Sequence, residues 1–479
     1  MADYLFSLRR DGSAQLDSYE GQEERILIPS QFEGHPVTVI GDNAFSWQSD
    51  IQSVVIPDTV TVLGEAAFSW CESLVSVTIP ETVKTIGEWC FIGCSSLRSI
   101  VLPPSVKKIN YSTFQSCTAL SSVTLPDSLR QIGPEAFSEC RSLQSITLPR
   151  GLTSLGDNAF SACDALVSVN IPPRLQSLGS GVFSGCTSLA SFEVAPGHSC
   201  FAVEENVLID KKERSLLFYP FGKRDKEYIV PDDIVTIAEE AFASRPFLES
   251  VIFPETLRAI EQRAFYGCRS LKSVNIPDSV TRIGANAFHG CSALESVVLP
   301  EGLTAIDYSL FYACASLTSV RVPSSVHFIA PCAFSGCGSL LSFDFPPEIL
   351  EIGESAFEGC RSLVSVSVPA SLEILGSHVF GSCSALEDVT FEGGLKVLPS
   401  LTFSRCENLN QVNLPGGLLE IGSEAFAGCE NLLSLVIPES VAQIEPDAFV
   451  DCRHLMLFVA PDSYAKNYAL DRDILFTEI

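Results

Sequence analysis

The chain is predicted to be a solenoid, a repeat fold that grows by one coil every 23 residues, and three observations predict it. First, a phenylalanine recurs at an unchanging 23-residue spacing: Phe45, Phe68, Phe91, Phe114, Phe137, Phe160 and Phe183, then Phe242, Phe265, Phe288, Phe311, Phe334, Phe357, Phe380, Phe403, Phe426 and Phe449. Second, the residue three beyond each phenylalanine is cysteine in fifteen of the seventeen repeats, Gln48 and Arg245 being the exceptions. Third, most repeats close on an alternating run of the form S-V-x-I-P. No single repeat can bury its own apolar residues, whereas stacked repeats bury them in continuous columns.

The elements follow in order within one repeat. After Phe68, the residues Leu74, Val77 and Ile79 supply inward side chains, and Ser76 and Thr78 alternate with them toward solvent. This predicts one short parallel β-strand per coil. Pro80 ends it, because proline has no N–H to continue a ladder. Val83 and Ile86 form a second short extended segment, closed by Gly87. The next stretch, such as Gly64 to Cys71, is too short for an independent helix and is expected to make one helical turn. Acids at its start, among them Asp42, Glu65, Glu88, Asp157, Glu239 and Glu354, suit a helix N-terminus. The seventeen phenylalanines should form one buried column.

The unit I-G-x-x-A-F-x-x-C-x-x-L-x-S-V-x-I-P-x-S-V resembles the BspA-like leucine-rich repeat. The resemblance covers residues 40–192 and 231–459, and Tyr19 to Gly41 and Ala460 to Ile479 are similar to that family's entry segment and terminal cap. It implies a leucine-rich-repeat superhelix. It also implies a kinship with bacterial surface proteins linked to adhesion and to binding of host matrix proteins. The organisation expected is an N-terminal cap over 1–39, a first array over 40–192, an insertion over 193–230, a second array over 231–459 and a C-terminal cap over 460–479. The insertion holds two β-like runs, Val207 to Ile209 and Leu216 to Tyr219, joined by the charged Asp210 to Ser215, and reads as a hairpin decorating one edge outside the core.

Composition narrows the function. The chain is 46% hydrophobic and 18% charged, so it can bury a large core. With 58 acidic against 30 basic residues its net charge is −28, a field that repels phosphate backbones and anionic membranes. Nucleic acid and membrane insertion are therefore not expected. The start, Met1 to Gly21, lacks the pattern of a signal peptide, which suggests a cytoplasmic, reducing location, whereas the family resemblance points to the cell surface. The cysteines stand in an apolar setting without paired metal-ligand spacing and read as buried, reduced packing residues. The six histidines share no repeat offset, and no nucleotide, metalloprotease or nucleophile motif occurs. The expectation is a monomeric protein with no catalytic residues, cofactor or metal, which binds a protein or, alternatively, a glycan. The serine eight residues after the phenylalanine, present in fourteen of the seventeen repeats with Asp388, Gln411 and Leu457 replacing it, is too uniform to carry recognition. The outward position two residues further on varies from coil to coil, and Val101, Asn170, Glu193, Asn275, Arg321, Asp344 and Asn413 are the candidate partner-binding residues.

Overall fold

The structure, a computed structural model, describes residues 4–479, which fall into two compact units divided between Lys223 and Arg224. In each unit the alternating run forms a ladder of short parallel strands whose partners lie one period apart. In the first unit Ser53–Val55 pairs with Ser76–Thr78, Ser99–Val101 with Ser122–Thr124, and Ser168–Ile171 with Ser191–Val194. In the second, Glu227–Ile229, Ser250–Ile252 and Ser273–Asn275 pair in succession, as do Ser296–Val298 and Ser319–Arg321. The second extended segment forms its own parallel ladder, for example Lys108–Ile109, Gln131–Ile132, Ser154–Leu155 and Ser177–Leu178. Identical repeats running in one direction can only pair in parallel, and the proline after most of the first strands keeps them short.

The predicted helical turn is absent. In every repeat but the last, the residue two before the phenylalanine is left-handed, with φ between 48° and 63°, and in every repeat the residue two after it is left-handed too, between 54° and 76°. A right-handed helix cannot pass through such residues. Their effect is to turn alternate peptide groups outward, so that Ala66, Phe68 and Trp70 donate to the carbonyls of Glu88, Cys90 and Ile92 in the next coil at 2.7–2.8 Å, while Ser69 turns back to Ala66. The segment is thus a chain of tight turns bonded coil to coil. The acids at its start are no helix caps either. Asp42 accepts from the N–H of Glu65 at 2.7 Å, and Asp157 from that of Ser180 at 2.9 Å, each bridging to the following coil. Gly87 also answers to the neighbouring coil, since a Cβ there would meet the Gly64 carbonyl oxygen at 2.4 Å.

Within each unit the phenylalanines stack face to face. Phe45 to Phe183 stand 5.0–6.0 Å apart in the first unit. Phe242 to Phe449 stand 4.8–5.8 Å apart in the second. Each column begins on a tyrosine, Tyr19 against Phe45 and Tyr228 against Phe242. All fifteen cysteines in register donate S–H to the carbonyl of the phenylalanine one coil earlier, at 2.9–3.4 Å. Where the first repeat has Gln48 instead, its amide donates to the carbonyl of Tyr19, the residue at the head of the column.

The insertion is not a decoration. Phe201–Glu204, Val207–Asp210 and Ser215–Phe218 form a three-stranded antiparallel meander, one strand more than the sequence suggests. Phe201, Val207, Leu208 and Leu216 are fully buried. Phe192 and Phe218 meet Phe183 at 5.4 and 6.1 Å and cover the last ring of the first column edge-on. The two turns, Glu204 to Asn206 and Lys211 to Arg214, are exposed. At the other end of the chain, the helix Tyr464–Asp471, capped by Ser463, brings Tyr468 against Phe449, and the strand Leu475–Glu478 adds to the ladder beside Met456–Val459.

Two expected outcomes follow from this packing. Phe288→Ala removes one ring from a fully buried stack and should cost roughly 3–5 kcal/mol in urea unfolding, seen globally or as local opening of adjacent coils. A parent-like transition would refute the stacked core. Leu208→Asp, which buries an unpaired charge under the meander, should destabilise the first unit by about 3 kcal/mol or more, whereas glycine replacement of Lys212 to Glu213 should change stability by about 0.5 kcal/mol or less. Equal melting temperatures for the two variants would restore the reading of the insertion as a decoration.

Candidate binding surface

The outward side chains of the first-strand ladder are the part of each coil that the core does not use. Strand register assembles them into straight columns. The column two residues beyond the serine runs, in the second unit, through Ile229, Ile252, Asn275, Val298 and Arg321 on successive coils. The candidate residues Asn275 and Arg321 therefore share one face with three exposed aliphatic side chains, Ile229 at 63% and Val298 at 55% exposure being the most open. Arg321 lies 3.4 Å from the Glu301 carboxylate, a surface ion pair that a partner can displace. Asp344 is exposed on the next coil, which forms no regular strand and where Phe343 packs against Phe334 and Phe357. Asn413 is exposed and donates to the Thr390 hydroxyl at 3.1 Å.

In the first unit the candidates differ in availability. Val101 is 64% exposed beside Thr124, and Glu193 is exposed beside Asn170. Asn170 itself is half-buried, and its amide both accepts from the N–H and donates to the carbonyl of Leu148 at 2.9 Å. It completes the ladder where the neighbouring strand has ended, and so has little left to offer a partner. The seven candidates do not converge on one point; they are spread along the ladders of both units.

The aliphatic component of this surface escaped the sequence reading. Leu27 and Val55 pair in register in the first unit, and Leu341 and Val364 stand on successive coils in the second, all exposed. A signal was available: valine, leucine or isoleucine at outward offsets where other repeats carry serine, threonine or a charge. Charge is laddered beside this face as well. Glu249 accepts from Lys226 at 2.8 Å and Lys272 at 2.7 Å, and these bonds hold its carboxyl down to about 2.

Other chemistry has less to stand on. All eighteen cysteines are free thiols, and among the described residues no three His, Cys, Asp or Glu side chains are placed to hold a metal. Burial pushes Cys71 and Cys117 up to about 12 and Cys268 up to about 11, which disfavours the reactive thiolate. Cys200 moves the other way through the Ser199 hydroxyl and Lys212, and Cys452 through its bond with Cys429. Among the described residues no helix is long and apolar enough to cross a membrane.

A sequence profile of the BspA type leucine-rich repeat region, in six copies, matches residues 38–131, 107–207, 218–341 and 329–456. The chain belongs to the BspA type leucine-rich repeat family. Among solved structures, a leucine-rich cell surface protein from Faecalibacterium prausnitzii is 30% identical, covering 82% of this chain and 95% of its own, with a TM-score of 0.61. A leucine-rich repeat protein from Bacteroides ovatus is 25% identical over 100% of this chain and 99% of its own, with a TM-score of 0.45. A third, from Eubacterium ventriosum, is 21% identical over 94% and 92%, with a TM-score of 0.46. Among curated proteins none matches. The cytoplasmic location expected above finds no support here, the Faecalibacterium protein being described as a cell surface protein.

The buried thiols give this family member an alkaline weakness. Their folded values lie above the usual 9.0, so the folded chain holds protons that the unfolded chain releases. The stabilisation is complete below about 9 and is lost as pH rises toward 11–12. The urea midpoint should accordingly fall between about pH 8 and about pH 10.5. Thiol labelling of the native chain should be slow and become complete in denaturant. Fast native labelling at most cysteines, or a midpoint that rises with pH, would contradict the buried column.

Proposed function

We propose that the chain is a non-catalytic scaffold, displayed at a cell surface, that binds a protein partner along the outward face of its first-strand ladder. The observation that carries this reading is the column Ile229, Ile252, Asn275, Val298 and Arg321, in which three exposed aliphatic groups and two polar ones share one face. A folded protein leaves scattered aliphatic residues in water without consequence, but a contiguous run ending in arginine has the composition of an interface. Arginine adds five fixed donors and is enriched among the residues that dominate binding energy. Ladder pairing pre-orders the whole column, so little entropy is lost when a partner docks. Surface display is supported by the description of the Faecalibacterium relative.

The test begins with the immobilised chain screened against purified extracellular matrix and secreted proteins by interferometry. For a partner so found, Arg321→Ala and the double variant Ile252→Asp with Val298→Asp should each lose more than about 1 kcal/mol of binding, with melting unchanged. Full affinity in both variants would reject the strand face, and a catalytic turnover of any partner would reject the scaffold.

A further inference from the structure

We propose that the first unit carries a separate binding site for a short anionic oligosaccharide, carboxylated or sulfated, in a cationic groove on its second-strand ladder. Lys84, Thr85, Ser105, Lys107, Lys108 and Asn110 line a depression of about 640 Å³ there. The register explains the cluster. Lys84, Lys107 and Arg130 occupy the same repeat offset on three successive coils, and Lys108 stands beside Lys107 on the strand Lys108–Ile109. The N–H of Arg130 bonds the Lys107 carbonyl at 2.8 Å, which holds those two coils in step.

Sign and availability both set this place apart. In a chain of net charge −28, the sequence between Glu88 and Asp127 contains no acidic residue at all. Lys84, Lys107 and Lys108 are exposed, and among the described residues no carboxylate pairs with any of them, whereas Lys226, Lys272 and Arg282 on the second unit each have an acidic partner. Unpaired like charges on adjacent coils repel one another, so the arrangement is stabilised by whatever anion neutralises it.

The rest of the lining selects the ligand class. No apolar side chain lines the groove, so a peptide would find no pocket for an anchor. The Lys84 N–H bonds the Thr61 carbonyl and the Arg130 N–H that of Lys107, while the second-strand ladder is interrupted between Thr85–Ile86 and Lys108–Ile109, the two coils that line the groove. The Ser105 hydroxyl is used within the fold, donating to Glu81 and Val83, and the Asn110 amide N–H donates to Ile86. The Thr85 hydroxyl and the Asn110 carbonyl oxygen are left facing a ligand able to offer hydroxyl groups. The cation run is short, since the same offset holds Thr61 before it and Thr153 after it, and the acidic surface beyond repels a long polyanion such as nucleic acid. Cations that recur at one offset on successive coils suit a sugar chain whose charge recurs ring by ring, each making a charge-assisted hydrogen bond.

The site can be tested on the full chain by titration calorimetry with a sulfated hexasaccharide, an oligogalacturonate of the same length, a neutral hexasaccharide, polyglutamate and a single-stranded oligonucleotide. Binding of one or both anionic sugars is expected, weakening with salt, and which of the two binds tells sulfate from carboxylate. Lys84→Ala with Lys107→Ala and Lys108→Ala should weaken that binding by about tenfold or more without changing the melting temperature. The charge-preserving Lys107→Arg should retain it, as should Arg321→Ala, which separates this site from the strand face. Absence of anionic-sugar binding at low salt, equal affinity for the neutral sugar, polyglutamate or the oligonucleotide, or undiminished binding by the triple variant would each overturn the proposal.

Discussion

Everything in this fold depends on a fixed step between coils, and the step is set where each phenylalanine meets its neighbour. The rings stack at about the spacing of paired strands. The same residue's N–H reaches forward to the next coil, and its carbonyl receives a thiol from that coil's cysteine. Cysteine suits this place for two reasons at once. It packs as a small hydrophobe, and its weak S–H donor supplies a partner to a carbonyl that water cannot reach. Alanine would leave that acceptor under-satisfied, and a larger side chain would force the coils apart. In the first coil Gln48 makes the equivalent contact with a longer arm, its amide donating to the carbonyl of Tyr19.

A repeating column has two open ends, and each end would expose an aromatic face and unpaired backbone. The chain covers them with residues that break the repeat. Tyr19 and Tyr228 begin the two columns, the meander places Phe218 edge-on against Phe183, and Tyr468 of the terminal helix closes on Phe449 while bonding the carbonyls of Glu445 and Pro446. Edge-on contact suits a terminus, because it covers a ring without presenting a fresh face to be stacked upon. The insertion is thereby understood as structure that the first unit needs for its own core.

With stacking and ladder bonds assigned to the inward side chains and the backbone, the outward side chains are free to vary at little energetic cost. Two different chemistries occupy that freedom: an aliphatic and arginine-bearing face on the first-strand ladder of the second unit, and a lysine groove on the second-strand ladder of the first. Both inherit their order from the register, since any residue repeated at one offset becomes a straight row. A repeat fold therefore turns a change in sequence at one offset into a patterned surface without disturbing the core.

The period, the inward columns, the short parallel strands ending at proline and the family were legible in the sequence, because each rests on apolar side chains recurring at fixed offsets, and stacking follows from recurrence alone. The conformation of the turns was not. Ala66 and Trp70 take left-handed backbone because the peptide groups between them must bond atoms about one period away, a demand that local propensity does not contain. Likewise Asn170 reads as a free outward amide until the end of the neighbouring strand claims both its polar atoms, and Leu208 reads as part of an exposed hairpin until the open end of a phenylalanine column is there to be covered. Composition and spacing decided which residues must stack, and hydrogen bonds and burial between distant parts of the chain decided which residues remained free to bind.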